Sequence, residues 1–168
     1  MSHEYFIEIA KYNQWANQKF IVWLQTLNEK QWSQSLVSSF TSIADTVLHI
    51  VGAEQVWHDR LIKVENPIWL PANFKGGKAE ALDAWNQSSK LLVDYTQSLS
   101  NESLDQIIPY KRINGEALSQ PVFEILAHVF NHSTYHRGQL VTMLRQVGFE
   151  DVSSTDLALF YQNKNKII

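Results

Sequence analysis

Three histidines stand four residues apart in the stretch "HVFNHSTYHRGQ" (128 to 139), at His128, His132 and His136. A neutral imidazole offers a nitrogen lone pair, and two such rings at i and i+4 of a helix can reach one cation between them. Four residues overshoot a helical turn by roughly 40°, so three successive rings cannot share one direction. The apolar arc of this stretch is set by Ile125, Leu126, Val129, Leu140, Met143, Leu144 and Val147. His136 projects inside that arc, His132 at its edge, and His128 roughly 40° further toward the polar side. His132 and His136 are therefore the inward pair. A zinc-peptidase helix would carry glutamate directly after its first histidine; Ser133 in that place excludes the chemistry. An inward histidine pair also suits a hydrogen-bonded core, so a third donor decides between the two.

The candidates for that donor are His49, His58, His3, Asp45 and Glu54. His49 lies mid-helix between Leu48 and Ile50, where a buried imidazole must find a partner. His58, in the charged run "HDR", reads as solvated, and His3 as a frayed terminal residue. Elimination leaves His49, on the shoulder of its helix's apolar stripe. Asp45, one turn earlier, could orient that ring or be a solvated acid. Gln139 is placed on the His132 side, where it could bond a substrate or backbone. Arg137 reads as a surface or interface salt bridge before it reads as a partner for an anionic substrate. Gly138 would let helices pack closely, and Trp15 and Trp57 are core or pocket lining.

These residues must be carried by helices. Tyr5, Ile9, Tyr12, Ala16, Phe20, Trp23 and Leu27 recur in steps of three and four, which predicts a first helix over 2–26 capped by Ser2. A serine-rich linker precedes a second helix over 42–64, with Ile43, Val47, Ile50, Trp57 and Leu61 as its stripe. "NPIWLPANFKGG" (66 to 77) breaks the helix with two prolines and two glycines. A third helix is predicted over 79–99 through Leu82, Trp85, Leu92, Tyr95 and Leu99. Asn114-Gly115 favours a tight turn, so 107–118 reads as a small β-hairpin or an ordered loop. The fourth helix is predicted over 121–147, with Pro121 in its first turn and Gly148 as its stop, and a short closing helix over 153–162. The fold class is all-α: a four-helix bundle in one domain spanning 1–168.

Bulk composition narrows the partners. The 168 residues include no cysteine, which excludes disulfides, thiolate metal sites and a cysteine nucleophile, and suits a cytoplasmic setting. The formal charge is −3 with no lysine or arginine cluster, so duplex nucleic acid is not an expected partner. Acids, lysine and asparagine interrupt the amino terminus, which reads as neither a signal peptide nor a membrane span.

Taken together, "YNQWANQKF" (12 to 20), "LHIVGAEQVWHDRL" (48 to 61), "HVFNHSTYHRGQLVTMLRQVG" (128 to 148) and the closing "STDLALFYQ" resemble the DinB-like (DinB/YfiT-like) family of small metalloproteins. The resemblance covers nearly the whole chain, in order, and "NHSTYHRGQ" is its most specific part. It implies a four-helix bundle with a long crossover, forming a homodimer. It also implies a divalent metal ion held by three histidines, matching His49, His132 and His136 here, with His128 outside the ligand set. Some relatives use bacillithiol, mycothiol or glutathione, so a low-molecular-weight thiol joins zinc, nickel or iron as an expected cofactor. The leading functional expectation is a metal-dependent thiol transferase or hydrolase acting on a small electrophile. The alternative is a non-enzymatic dimeric stress protein whose metal is structural.

Overall fold

The computed structural model describes residues 2–112 and 115–165. The chain runs α1 (His3–Gln25), α2 (Glu29–Ser33), α3 (Ile43–Leu61), α4 (Leu70–Asn73), α5 (Lys78–Ser98), a 3₁₀ turn (Glu102–Asp105), β1 (Ile107–Lys111), β2 (Ala117–Pro121), α6 (Val122–Gln146) and α7 (Leu157–Asn165). The four long helices, α1, α3, α5 and α6, match the expected positions to within a few residues, and their ends are chemically marked. Ser2 Oγ accepts the Tyr5 N–H and Ser42 Oγ accepts the Asp45 N–H, each a capping bond for an otherwise orphaned donor. At the far end of α6, Gly148 takes a φ of +83°, and the Phe149 N–H turns back onto the Leu144 carbonyl. Pro121 sits one residue outside the first turn of α6, where it ends β2. The closing helix begins at Leu157, later than expected.

The 107–118 segment is a hairpin. β1 and β2 pair antiparallel from Ile107↔Pro121 to Lys111↔Ala117. Of the expected Asn114-Gly115 turn, Asn114 lies outside the described residues, while Gly115 has a φ of +87°. Such positive φ is the conformation a tight turn asks of glycine.

α1 and α3 each pack between α5 and α6 and face one another across the diagonal. One apolar cluster joins Phe20 and Leu24 of α1 to Ile43 and Val47 of α3, Leu82 and Trp85 of α5, and Leu140 and Met143 of α6. A second joins Phe6 and Ala10 to Leu61, Leu92 and Val93, and Val122 to Phe130. The early residues of α1 and α6 thus share an end with the late residues of α3 and α5. The helices run up, down, down, up, so the 62–77 segment must return along the bundle. It is the long crossover. Gly52 lets it lie against α3: a Cβ there would stand 2.5 Å from Pro71 Cδ and 3.2 Å from Trp69 Cζ3.

Between the two apolar clusters lies a buried polar belt, and it corrects the expected stripe of α1. Tyr5 is 48 % exposed, whereas Phe6, Ala10, Asn13 and Asn17 are buried. Tyr12, Ala16, Phe20, Trp23 and Leu27 of the expected stripe are buried as well, so the apolar reading errs only at its start, where Phe6 and Ala10 face inward in place of Tyr5 and Ile9, and in passing over the two inward asparagines. No helix among the described residues is long and apolar enough to cross a membrane.

Candidate metal centre

α3 and α6 run side by side in opposite directions, and this brings His49 opposite His132 and His136. The candidate ligand atoms of the three rings all lie within 4.8 Å of one another. His49 Nε2 and His132 Nε2 are 2.9 Å apart. Ring centroids are separated by 4.9 Å (His49–His132), 4.6 Å (His49–His136) and 4.4 Å (His132–His136). Nitrogens bound to one zinc at about 2.0–2.1 Å stand roughly 3.0–3.5 Å apart, so three donors within 4.8 Å of one another are near enough for small ring movements to bring them onto one ion.

The electrostatics favour lone pairs over protons. Burial, with the His136 ring as a lesser cause, pulls His49 down to about 4. Burial first, then the rings of His136, His49 and His128, pull His132 to about 3. Burial lowers His136 as well, partly offset by its bond to Gln139. All three are therefore neutral near pH 7, the form in which imidazole binds a metal. His136 Nδ1 donates to Gln139 Oε1 at 2.8 Å, which leaves Nε2 for the ion, and Gln139 Nε2 donates in turn to Ser39 Oγ at 2.7 Å. His132 Nδ1 is buried without a hydrogen-bond partner among the described residues. A cluster of desolvated, uncharged nitrogen donors with this little internal hydrogen bonding fits a divalent ion better than a self-satisfied core.

Two rings from the connecting segments close over the cluster. Phe40 lies 4.3 Å from the His49 ring and 5.6 Å from His136, and Trp69 meets His49 edge-on at 5.8 Å. Neither was singled out from sequence, because their placement depends on the 34–42 and 62–77 connections and not on a helical period.

The other sequence candidates fall elsewhere. His128 is exposed and stacks edge-on against Trp57 at 5.1 Å. His58 is 9 % exposed, not solvated: it is turned into the bundle beside Tyr95 at 6.2 Å. Its neighbours Asp59 and Arg60 in "HDR" are only half-buried, with the Asp59 carboxylate 3.5 Å from the His58 ring, which misleads a reading by local composition. His3 is anchored and not frayed, with its ring at 2.7 Å from the Thr96 carbonyl and its backbone N–H donating to Asn101 Oδ1. Asp45 accepts from the Thr41 and Ser42 hydroxyls at 2.7 Å each, so it secures the start of α3 and does not orient His49. Gln139 supports His136, not the His132 side. A Cβ at Gly138 would meet nothing within 4 Å, so no close helix packing depends on that glycine. Trp15 packs with Tyr12 and Phe160 where α7 folds back on α1, remote from the histidines in the chain, while Trp57 borders them.

Arg137 and Glu54 form the belt. Arg137 is 3 % exposed; its Nη1 donates to Asn13 Oδ1 at 2.5 Å and Asn17 Oδ1 at 2.7 Å, and Nη2 to Thr134 Oγ1 at 2.8 Å. Glu54 Oε1 accepts from Asn13 and Asn17 at 2.8 and 2.9 Å and from Ser133 at 3.0 Å. Glu54 Oε2 accepts from Ser88 at 2.7 Å and Ser89 at 3.4 Å. Arg137 is thus neither a surface salt bridge nor free to meet a substrate. The available signal was the Asn13–Asn17 spacing of four, in phase with the apolar residues of α1.

The family model of the DinB family matches residues 1–165. Protein DinB of Bacillus subtilis (strain 168) is 27 % identical over 167 residues, covering 94 % of each chain. YizA of the same organism, described as uncharacterized, is 22 % identical over 150 residues, covering 89 % of this chain and 92 % of its own. Among solved structures, a DinB-like protein from Bacillus cereus ATCC 10987 superposes with a TM-score of 0.69 at 20 % identity, over 90 % of this chain and 96 % of that one. The DinB-like protein YjoA from Bacillus subtilis gives a TM-score of 0.65 at 16 % identity, over 88 % and 96 %. These likenesses extend the bundle to solved relatives.

Proposed function

The chain belongs to the DinB family, and from that premise we propose that it is a metal-dependent thiol transferase or hydrolase working on a small electrophilic substrate. His49, His132 and His136 are the metal ligands in this reading. The observation that carries it is the convergence of three neutral, desolvated imidazoles from two helices onto one point bordered by aromatic rings. A zinc, nickel or iron(II) ion held there supplies a bound water of lowered pKa, or holds an external thiol as its thiolate.

The remaining work falls to the chain. Gln139 fixes the tautomer and direction of the His136 ring. Phe40 and Trp69 exclude bulk water from one side and strengthen every electrostatic interaction within. With no cysteine in the sequence, a thiol must come from a separate small molecule. A purely structural metal is the weaker reading, because the belt already ties α6 to α3 through Ser133 and Glu54. In this reading the protein is a cytoplasmic homodimer, a proposal supported by the cysteine-free composition and the family likeness, and light scattering would check the dimer.

Protein purified without a histidine tag should carry about one metal ion per chain by elemental analysis, and His132→Ala should lose it. Metal-dependent turnover in a screen of low-molecular-weight thiols with small electrophiles should follow. A chain that cannot be loaded with zinc, nickel or iron contradicts the proposal.

A further inference from the structure

Beside the imidazole cluster a cleft of about 620 Å³ opens between the last turns of α3, the start of the crossover and the hairpin. Its lining includes Arg60, Lys63, Lys111 and Arg112, with Glu65 as the single carboxylate, in a chain whose formal charge is −3. Arg112 is committed to Glu116 at 2.9 Å. Arg60, Lys63 and Lys111 have no ion-pair partner among the described residues. The other walls are apolar or aromatic, among them Val56, Pro67, Trp69 and Tyr110.

Arg60 is held as a receptor would hold it. Its guanidinium lies 4.4 Å from the Trp57 ring centre and 4.7 Å from that of Tyr110. Among the described residues it makes a single hydrogen bond, Nη2 to the Lys111 carbonyl at 3.1 Å, and its Nε is buried without a partner. Most of its five N–H donors are unspent, on a group whose planar fork matches an oxyanion.

Lys63 supplies an independent sign. α3 and α6 end in the same motif: a residue with positive φ follows the cap, and the next N–H reaches back to the helix. At α6 that residue is Gly148 (φ +83°), and at α3 it is Lys63 (φ +61°). The Val64 N–H bonds the Asp59 carbonyl at 2.8 Å, as Phe149 does Leu144 at 2.9 Å. Glycine adopts this conformation freely, whereas a residue with a Cβ is strained in it. The strained side chain here is a cation at the cleft.

The cleft and the histidine cluster share a wall. Trp69 lines the cleft and touches the His49 ring at 5.8 Å. Trp57, under Arg60, meets His128, whose ring is 5.8 Å from His132.

We propose that this cleft is the substrate pocket of the imidazole site and selects small molecules bearing a carboxylate or phosphate on a flat apolar body, with Arg60 as the anion receptor and Lys63 and Lys111 as flanking charges. It rests on the metal-dependent reading for where the reacting group goes, but not for the binding itself. 2-Naphthoate, 2-naphthyl phosphate and neutral 2-naphthamide should be titrated calorimetrically into the full chain, both zinc-loaded and chelator-treated. At least one anion should bind about tenfold or more tighter than the amide, and Arg60→Gln should remove that advantage while Arg60→Lys restores part of it. Which anion wins identifies the headgroup. Lys63→Gly should weaken anion binding by about threefold yet raise the melting temperature, since it relieves the backbone while removing a charge. An amide that binds as tightly as both anions, or anion binding unchanged in both Arg60→Gln and Lys63→Gly, overturns the proposal. Anion selectivity in a chain that takes up no zinc would sink the metal reading and leave the pocket standing. Zinc uptake without anion selectivity would do the reverse.

Discussion

The same two helices present two polar regions of opposite character. Ser133 and Arg137 follow directly after His132 and His136, and Glu54 lies five residues beyond His49. One step along α6 rotates a side chain by about 100°, and five along α3 by a net of about 140°, enough in each case to move it from the shoulder to the centre of the bundle. In the centre, two Glu54 oxygens take hydrogen bonds from five side chains, and Arg137 spends its donors on Asn13, Asn17 and Thr134. On the shoulder, three imidazoles share a few hydrogen bonds, and His132 Nδ1 has none among the described residues. Burial of polar groups does not by itself mark a functional site. A saturated network specifies the packing; an unsaturated one beside a cleft has capacity left for a ligand.

The contrast is open to attack at its strongest point first. Glu54→Ala leaves Arg137 a buried cation without an anion and should cost about 3–5 kcal/mol in urea unfolding. His132→Ala, measured on metal-free protein, should cost about 1 kcal/mol or less. Comparable losses at the two positions would erase the distinction between a structural belt and a binding site.

Gly52→Ala comes next. The new methyl would press on Pro71 and Trp69 and should destabilise by about 1–3 kcal/mol, with a change in tryptophan emission as Trp69 shifts off His49. Gln139→Leu should leave the fold intact and weaken metal binding by about 10–100-fold, through loss of the ring support at His136. Unchanged affinity in a competition titration would show that Gln139 does not tune the site.

The remaining test is the pH dependence of the metal-free protein. His49 and His132 bind protons at about 4 and about 3 when folded, against 6.5 as the ordinary value. Between those values the unfolded chain holds more protons, so these two rings lower stability as pH falls from 6.5 and are without effect above it. Replacing both with glutamine should flatten the acid side of a melting-temperature profile. An unaltered slope would place the acid sensitivity elsewhere.

Much of the scaffold and the three histidines was legible from sequence, for physical reasons. Capping serines, terminating glycine and a period near 3.6 residues locate long helices without knowledge of their partners, and i, i+4 spacing puts His132 and His136 together within one helix. His49 needed a second helix to be brought alongside, and elimination plus resemblance supplied what periodicity could not. The belt was hidden because Asn13 and Asn17 are polar residues in core positions, and Arg137 and His58 because their sequence neighbours are polar. Phe40 and Trp69 were hidden because irregular connections place them, through contacts such as Pro71 on Gly52.

The most direct test is anomalous diffraction from crystals of tag-free protein soaked with zinc and measured at the zinc edge. A single strong peak within bonding distance of His49, His132 and His136 is the expected result. No peak there, or a peak held by His128 or His58 instead, would contradict it.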